Sequence, residues 1–162
     1  MADAVVVDRI DAAILDLFAA EPRIGVLEAS RRLRLARGTV QARLDKLSNR
    51  GVVTGWGPDV DASALGFPVT AFVTLEIAQT GHDEIGHRLS DIPEVLEVHT
   101  ITGNGDLLCR VVARSNTDLQ RVLDRVVSSA GIGRASTVIA LATQVPHRVL
   151  PLVAEAARAA EA

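Results

Sequence analysis

Three short helical patterns, separated by tight breaks, occupy the first third of this chain and constrain its fold most. Apolar residues at helical spacing follow Asp8, a favoured N-cap, and Pro22 prevents continuation of this first helix. A second helix is predicted at about 26–33 and a third at about 37–50, where Gly51 takes the C′ position. Helices this short, with connections this tight, predict a helix-turn-helix unit.

The third helix and the end of the second carry an unbalanced cluster of positive charge. Between residues 30 and 50 there are seven basic residues and one acid, Asp45, although the formal net charge of the chain is -3. Residues 1–57 have a net charge of +2 and residues 58–162 have -5. A solvated helix face usually alternates charge signs, so this pattern predicts an anionic partner outside the chain.

The third helix has a geometry that suits a DNA major groove. Val40, Leu44 and Leu47 form a narrow apolar stripe, and the opposite arc includes Gly38 and Ala42, whose small size allows a close approach of the backbone. Long polar side chains at the edges of that arc can reach bases and phosphates. The predicted DNA-contacting residues are Arg31, Arg32, Arg37, Gly38, Thr39, Gln41, Ala42, Arg43 and Lys46.

Arg43 has a second interpretation. It lies near the boundary of the apolar stripe, so it can instead form an internal ion pair with an acid of the first helix such as Asp11. Asp45 on the outward arc would repel phosphates unless a neighbouring cation, Lys46 or Arg50, screens it. Both interpretations of Arg43 stay open at this point.

The second half of the chain reads as strand, helix, strand, strand, helix, strand. Two βαβ-like halves in this order predict a ferredoxin-like α/β sandwich. The predicted strands are 69–77, 95–102, 107–114 and 136–143, and the predicted helices are about 82–90 and 117–128. Thr117 and Asp118 are expected at the start of the last helix, and Cys109 is expected in the core.

The predicted strands are apolar on both sides. In the third strand Leu107, Cys109, Val111 and Ala113 alternate with Leu108 and Val112. Because both helices cover one face of the sheet, the other face is left as an association surface, and a two-fold homodimer is the simplest solution.

The stretch "TGNGD", residues 102–106, predicts a hairpin in which Asn104 and Gly105 suit positive φ. Its glycine amides can receive a carboxylate and Asp106 can accept an ammonium, so the hairpin is a candidate site for a small zwitterion. A plain tight turn explains the same residues. The predicted effector-contacting residues are Thr102, Gly103, Asn104, Gly105, Asp106, Ser136 and Thr137.

The whole pattern resembles the Lrp/AsnC family of transcription regulators. In the first half the resemblance rests on Asp8, Asp11, Ile14-Leu15, Arg23-Ile24, Leu35, Thr39-Val40, Arg43, Leu47 and Gly51-Val52-Val53. In the second half it rests on Pro93-Glu94-Val95, Gly103, Asp106, Gly131-Ile132 and Ser136-Thr137. It implies a DNA-binding helix-turn-helix, amino-acid effectors bound between subunits near the hairpin and the last strand, and dimers that assemble into octamers.

Two residues depart from the family pattern in the turn before the third helix. Ala36 stands where the family usually has a serine N-cap, a loss of about 1 kcal/mol. Arg34 stands where a glycine is common, so a residue with a side chain has to adopt the backbone of the turn.

These observations predict an α+β chain with an N-terminal helix-turn-helix (winged-helix-like) domain and a C-terminal ferredoxin-like βαββαβ ligand-sensing domain. The predicted divisions are a DNA-binding domain at 1–53, a linker at 54–67, an effector and oligomerisation domain at 68–145, and a tail at 146–162 that is helical and frayed. A short strand, "VVTGW" at 52–56, is predicted where the first domain meets the linker.

The predicted function is transcription regulation through double-stranded DNA, modulated by an amino acid or similar small molecule. The alternatives are an effector-independent, chromatin-organising DNA binder and, more distantly, a dimeric enzyme on the ferredoxin-like fold. The sequence contains no phosphate loop and no metal-ligand spacing, which disfavours the enzyme. We expect no cofactor, no metal, no membrane span, and a cytoplasmic, nucleoid-associated protein.

Overall fold

The computed structural model describes residues 5–78, 82–128 and 131–161, and the chain divides into two compact units. The first unit runs up to Pro58 and is completed by the segment that starts at Val145. The second unit is Asp59–Gln144. The C-terminal segment, which the sequence left as a tail, therefore belongs to the first unit.

Helix α1 (Arg9–Ala20) begins at a capping box. The Asp8 carboxylate accepts hydrogen bonds from the backbone N–H groups of Ile10 (2.9 Å) and Asp11 (2.8 Å), and the Asp11 carboxylate accepts one from the Asp8 N–H (3.3 Å). These bonds satisfy amide groups that have no partner inside the helix.

Helices α2 (Val26–Leu33) and α3 (Arg37–Asn49) complete the helix-turn-helix, as predicted. Between them Arg34 adopts the left-handed conformation at φ 55°, the strain expected from a residue with a side chain at this turn. Ala36 caps α3 without a side-chain bond. Three helices enclose one small core, formed by Ile14, Ala29, Val40 and Leu44.

The predicted strand "VVTGW" is wrong. Residues 52–56 form no strand, because the backbone N–H groups of Val52 and Val53 both donate to the Leu47 carbonyl at the end of α3. Those two groups close the helix and are not available to a sheet. Trp56 packs edge-on against Phe18 with the ring centroids 5.6 Å apart, so its ring contributes to the packing of the first unit.

The C-terminal segment forms helix α6 (Leu150–Ala159), which packs against α1. Ala157 is only 3% exposed at this contact, and Arg9 and Glu161 form an ion pair at 3.4 Å. The C-terminal helix is therefore part of the packing of the first unit.

The second unit is a four-stranded antiparallel sheet in the order β2-β3-β1-β4, so the ferredoxin-like prediction is confirmed. Its elements are β1 (Val69–Ile77), α4 (His82–Ser90), β2 (Val95–Thr100), β3 (Leu107–Ala113), α5 (Asn116–Val127) and β4 (Ile132–Ala140). The N-cap of α5 is Ser115, which accepts a bond from the Asp118 N–H, so Thr117 and Asp118 lie at the start of this helix as expected.

Two local predictions in this unit need correction. Strand β4 begins four residues earlier than predicted and stops at Ala140, whose pairing with Thr70 is the last one between β1 and β4. In the hairpin the positive φ angles belong to Gly103 and Gly105, both at 106°, and not to Asn104.

The two faces of the sheet differ in character. Ala71, Val73 and Leu75 of β1 pack with α4 and α5 in the main core, together with Leu107, Cys109, Val111 and Ala113 of β3. Burial raises the pKa of Cys109 to about 11, which keeps this core thiol protonated. We call the face opposite the helices the open face; Phe72 (41% exposed) and Val138 (66% exposed) are paired across β1 and β4 on it.

Candidate DNA surface and effector pocket

Helix α3 presents the polar arc that the sequence predicts. Val40, Leu44 and Leu47 are buried, while the arc opposite them is exposed. A Cβ atom placed on Gly38 would meet nothing within 4 Å. The exposed residues of the arc are Arg37, Gly38, Thr39, Gln41, Ala42, Asp45, Lys46 and Asn49.

Arg43 makes the internal ion pair and not a free surface contact. Its Nη1 group donates to both oxygens of Asp8 (2.7 and 2.6 Å) and to Asp11 (2.8 Å). Asp11 is fully buried and Arg43 is 25% exposed. Hydrogen bonds from Arg43 lower the pKa of Asp8, and the bonds to Asp8 raise the pKa of Arg43. Arg43 therefore leaves the set of candidate DNA contacts.

Several other cations of the cluster also have partners within the chain. Arg31 lies 3.6 Å from Glu28, Arg32 pairs with both Glu21 and Glu28, and Lys46 lies 3.9 Å from Asp11. The expectation that the cluster is unbalanced was therefore too broad, because acids before residue 30 fold back onto it.

Three arginines of the cluster remain available. Within the described ranges 5–78, 82–128 and 131–161, no carboxylate lies within ion-pair distance of Arg34, Arg37 or Arg50, and all three side chains are exposed. On the outward arc, the Gln41 amide donates to Asp45 at 2.9 Å. Gln41 therefore covers part of the one acid that would oppose a phosphate.

A cavity of about 430 Å³ opens on the open face beside the hairpin. Thr74 pairs with Ser136, and Glu76 pairs with Arg134, across β1 and β4. Glu76 Oε1 and Arg134 Nη1 are 3.8 Å apart. The residues that line the cavity are Thr74, Glu76, Asn104, Arg134 and Ser136.

Only two of the predicted effector residues, Asn104 and Ser136, are among those lining residues. Thr137 pairs with the buried Val73 and so lies on the opposite, helix-covered face. Thr102 and Gly103 are exposed in the hairpin without lining the cavity.

Gly105 and Asp106 have structural roles instead. A Cβ atom on Gly105 would overlap the Thr74 methyl group and lie 3.2 Å from the Leu75 carbonyl oxygen, so this glycine permits close packing of the hairpin on β1. The Asp106 carboxylate accepts the Ile77 N–H at 2.6 Å. That bond uses one oxygen of the group we expected to accept an ammonium.

Sequence reasoning missed Thr74, Glu76 and Arg134. The alternation in "VTAFVTLEI" places Thr74 and Glu76 on the same side of β1, which was a usable signal. Arg134 was missed because the predicted start of β4 at residue 136 excluded it from the strand.

Comparison with known proteins identifies both units. The winged helix-turn-helix DNA-binding family matches residues 7–54, and the Lrp/AsnC ligand binding domain family matches residues 70–150. The chain belongs to the Lrp/AsnC family. It is a transcription regulator with a DNA-binding helix-turn-helix and a ligand-binding domain, and not an enzyme.

Relatives of this Lrp/AsnC protein match along most of its length. HTH-type transcriptional regulator Rv2324 of Mycobacterium tuberculosis is 30% identical over 135 residues, which cover 83% of this chain and 91% of the relative. The structure of E. coli AsnC is 23% identical with a TM-score of 0.83, and the match covers 91% of this chain and all of that one. The feast or famine regulatory protein Rv3291c of M. tuberculosis, solved in complex with L-methionine, is 29% identical with a TM-score of 0.77, covering 88% and 97%.

Two other kinds of feature are absent from the described part of this Lrp/AsnC chain. None of its described helices has the length and apolar character needed to cross a bilayer. Its described residues also contain no cluster of three or more His, Cys, Asp or Glu side chains able to hold a metal ion.

Proposed function

We propose that this protein binds double-stranded DNA in a sequence-specific manner through α3 and that a small amino-acid-like effector in the open-face cavity modulates this binding. The observation that carries the DNA part is the exposed arc of α3, with open space at Gly38 and, at its first position, an arginine that has no ion pair among the described residues. A major groove admits a helix whose backbone can come close to the base edges.

Phosphate contacts in this proposal come from the cations that have no ion pair within the part of the chain that the structure describes. Arg37 begins α3, where the helix dipole and free amide groups favour an anion, and Arg34 precedes it in the turn. Arg50 lies at the other end of the same helix. Arg31 and Arg32 add weaker contacts, because their ion pairs are exposed and screened by solvent, so their carboxylate partners can be exchanged for phosphate.

Base contacts come from the arc between the two ends. The Gln41 side chain suits an adenine edge, and Lys46, half exposed, can turn from Asp11 toward the groove. Thr39, Gly38 and Ala42 provide clearance and a small apolar surface. Arg43 acts from within, by holding α3 against the start of α1.

The DNA proposal is tested with Arg37→Ala on fragments selected from genomic DNA by the wild-type protein. We expect weaker binding and a log–log salt slope smaller by about 1, since one phosphate contact is lost. Arg121→Ala is the matched control, because Arg121 is exposed in the second unit and has no ion pair among the described residues. Equal affinity of Arg37→Ala and wild type would remove α3 from the interface.

The effector part rests on the cavity and its charged pair. Arg134 can bind a carboxylate and Glu76 an ammonium, which together fit the head group of an amino acid. A ligand at 100 times its Kd stabilises its protein by about 2.7 kcal/mol, so a thermal-shift screen of amino acids tests this part. If no amino acid changes either the Tm or the DNA affinity, the effector part is wrong and the protein is an effector-independent DNA binder.

We infer that the protein acts as a homodimer that assembles further, as family members do, and that it works on the nucleoid. The apolar pair Phe72–Val138 on the open face supports a self-association surface. Two copies also suit paired half-sites on DNA. Sedimentation of wild type against Val138→Glu tests this, and a dimer that survives the charged substitution would move the interface elsewhere.

A further inference from the structure

The lining of the open-face cavity is unusual in its polarity. Ligand pockets are lined predominantly by apolar and aromatic side chains, with a few polar groups that orient the ligand. Here all five described lining residues end in a hydroxyl, an amide, a carboxylate or a guanidinium group. The apolar pair that follows on the open face of the same two strands, Phe72 and Val138, is not part of the lining.

The polar groups are arranged in two levels along β1 and β4. Glu76 and Arg134 form one cross-strand pair, and Thr74 and Ser136 form the next pair on the same face. Residues directly opposite each other in an antiparallel pair have Cβ atoms about 5 Å apart. The cavity therefore has a charged level and a hydroxyl level, and Asn104 reaches it from the hairpin.

The charged level suits a neutral zwitterion. The negative charge of one carboxylate and the positive charge of one guanidinium group cancel, so the cavity favours neither a strongly acidic nor a strongly basic ligand. The two groups form only a loose pair at 3.8 Å, with the side chains 55% and 76% exposed. Such a pair contributes little, so an incoming head group can replace it at small cost.

With the head group at the charged level, the ligand side chain faces the hydroxyl level and Asn104. Thr74 and Ser136 both donate and accept hydrogen bonds, and an aliphatic side chain would displace water from them without replacing its bonds. We propose that the cavity, if it is the effector site of the proposed function, selects neutral amino acids with a hydroxyl or carboxamide side chain over aliphatic ones and methionine. The relative Rv3291c, solved with L-methionine, provides the contrasting ligand.

Isothermal titration of the full-length protein with two groups of ligands tests the selection. One group is L-serine, L-threonine, L-asparagine and L-glutamine; the other is L-valine, L-leucine and L-methionine. We expect the best polar ligand to bind at least tenfold more tightly than the best apolar one, the discrimination that one or two hydrogen bonds provide.

Two variants separate the head group from the side chain. Arg134→Gln should weaken every ligand, whereas Thr74→Val should weaken only the polar group, by about tenfold. Thr70→Val is the matched control, because Thr70 lies on the same face of β1 and pairs with Ala140 outside the lining. Thr74→Val and Thr70→Val with equal effects would overturn the assignment of the hydroxyl level.

The outcomes distinguish this inference from the proposed function. If methionine or an aliphatic amino acid binds best and Arg134→Gln removes that binding, the effector site stands and the selection is overturned. If no amino acid binds a protein that still binds DNA, both the selection and the effector part of the proposed function are overturned, and the DNA part remains.

Discussion

Arg43, Asp8 and Asp11 form the most informative group of residues in the first unit. Asp8 caps α1 and also binds Arg43, so one carboxylate both begins the first helix and holds α3 against it. Asp11 is fully buried, so removal of Arg43 would leave an uncompensated buried carboxylate, and the guanidinium group therefore stabilises the packing of α3 on α1. The sequence allowed this interpretation but could not choose it, because the choice depends on the distance between two helices.

The pH dependence of this group can be predicted with its sign. Arg43 lowers the pKa of Asp8 below 3.8 in the folded protein, so the ionised carboxylate stabilises the fold above that pH and the contribution disappears as the pH falls through the lowered value. We predict that Asp8→Asn lowers the urea midpoint at pH 7 and that the difference from wild type shrinks below about pH 3.8. Asparagine is an equally good N-cap, so the variant isolates the charge.

Fluorescence of the single tryptophan, Trp56, reports the first unit because the ring packs on Phe18. The control for Asp8→Asn is Glu97→Gln in the second unit, where hydrogen bonds from His99 and Arg110 also lower a carboxyl pKa. It should leave the Trp56 transition unchanged. A difference between Asp8→Asn and wild type that stays constant down to pH 2 would contradict the role of Asp8.

At the scale of elements, signals within each segment predicted most helices and strands correctly. The errors occurred at strands whose existence or bounds depend on pairing with another strand. Helices α1, α2 and α4 and strand β1 lie within a residue or two of their predicted bounds, because caps, breakers and periodicity are written in the segment itself. The "VVTGW" strand and the start of β4 were wrong, because a strand exists only where another strand pairs with it. Two of the five residues that line the cavity were predicted, and Arg134 was missed for the same reason, since it enters the cavity only through the true register of β4.

Helix α3 gives a prediction at this scale. Gly38→Leu should raise the stability of the first unit by up to about 1 kcal/mol, because leucine is a far better helix former and its Cβ would meet nothing within 4 Å. The same substitution should weaken DNA binding tenfold or more, since the added side chain holds the backbone away from the groove. Urea denaturation followed by Trp56 and a DNA-binding titration measure the two effects.

Gly86→Leu in α4 is the matched control for Gly38→Leu. A Cβ atom on Gly86 also meets nothing within 4 Å, and the residue lies in the second unit. We expect a similar gain in helix stability and no change in DNA affinity. A Gly38→Leu protein that binds DNA like wild type would show that α3 does not approach a groove at this position.

At the scale of the whole molecule, the first unit is formed by two separate segments of the chain. The chain leaves this unit after Pro58, forms the sheet of the second unit, and returns at Val145 to place α6 on α1. Strand β4 carries Arg134 and Ser136 of the cavity and is followed, after Ala140, by the segment that leads into α6. The sequence alone could not assign α6 to the helix-turn-helix, because the residues of an Ala-rich terminal helix do not indicate which element it packs against.

The contact between α6 and α1 gives a prediction with a neighbouring control. Ala157→Asp places a carboxylate at a position that is 3% exposed, and burial of an unpaired charge should destabilise the first unit by about 2–3 kcal/mol. Ala156→Asp adds the same charge one residue earlier on an exposed face, so it shares the loss of helix propensity without the burial. We expect the urea midpoint followed by Trp56 to fall clearly for Ala157→Asp and only slightly for Ala156→Asp. Equal midpoints for the two variants would mean that α6 contributes nothing to the helix-turn-helix, and the C-terminal segment would then be the frayed tail that the sequence suggests.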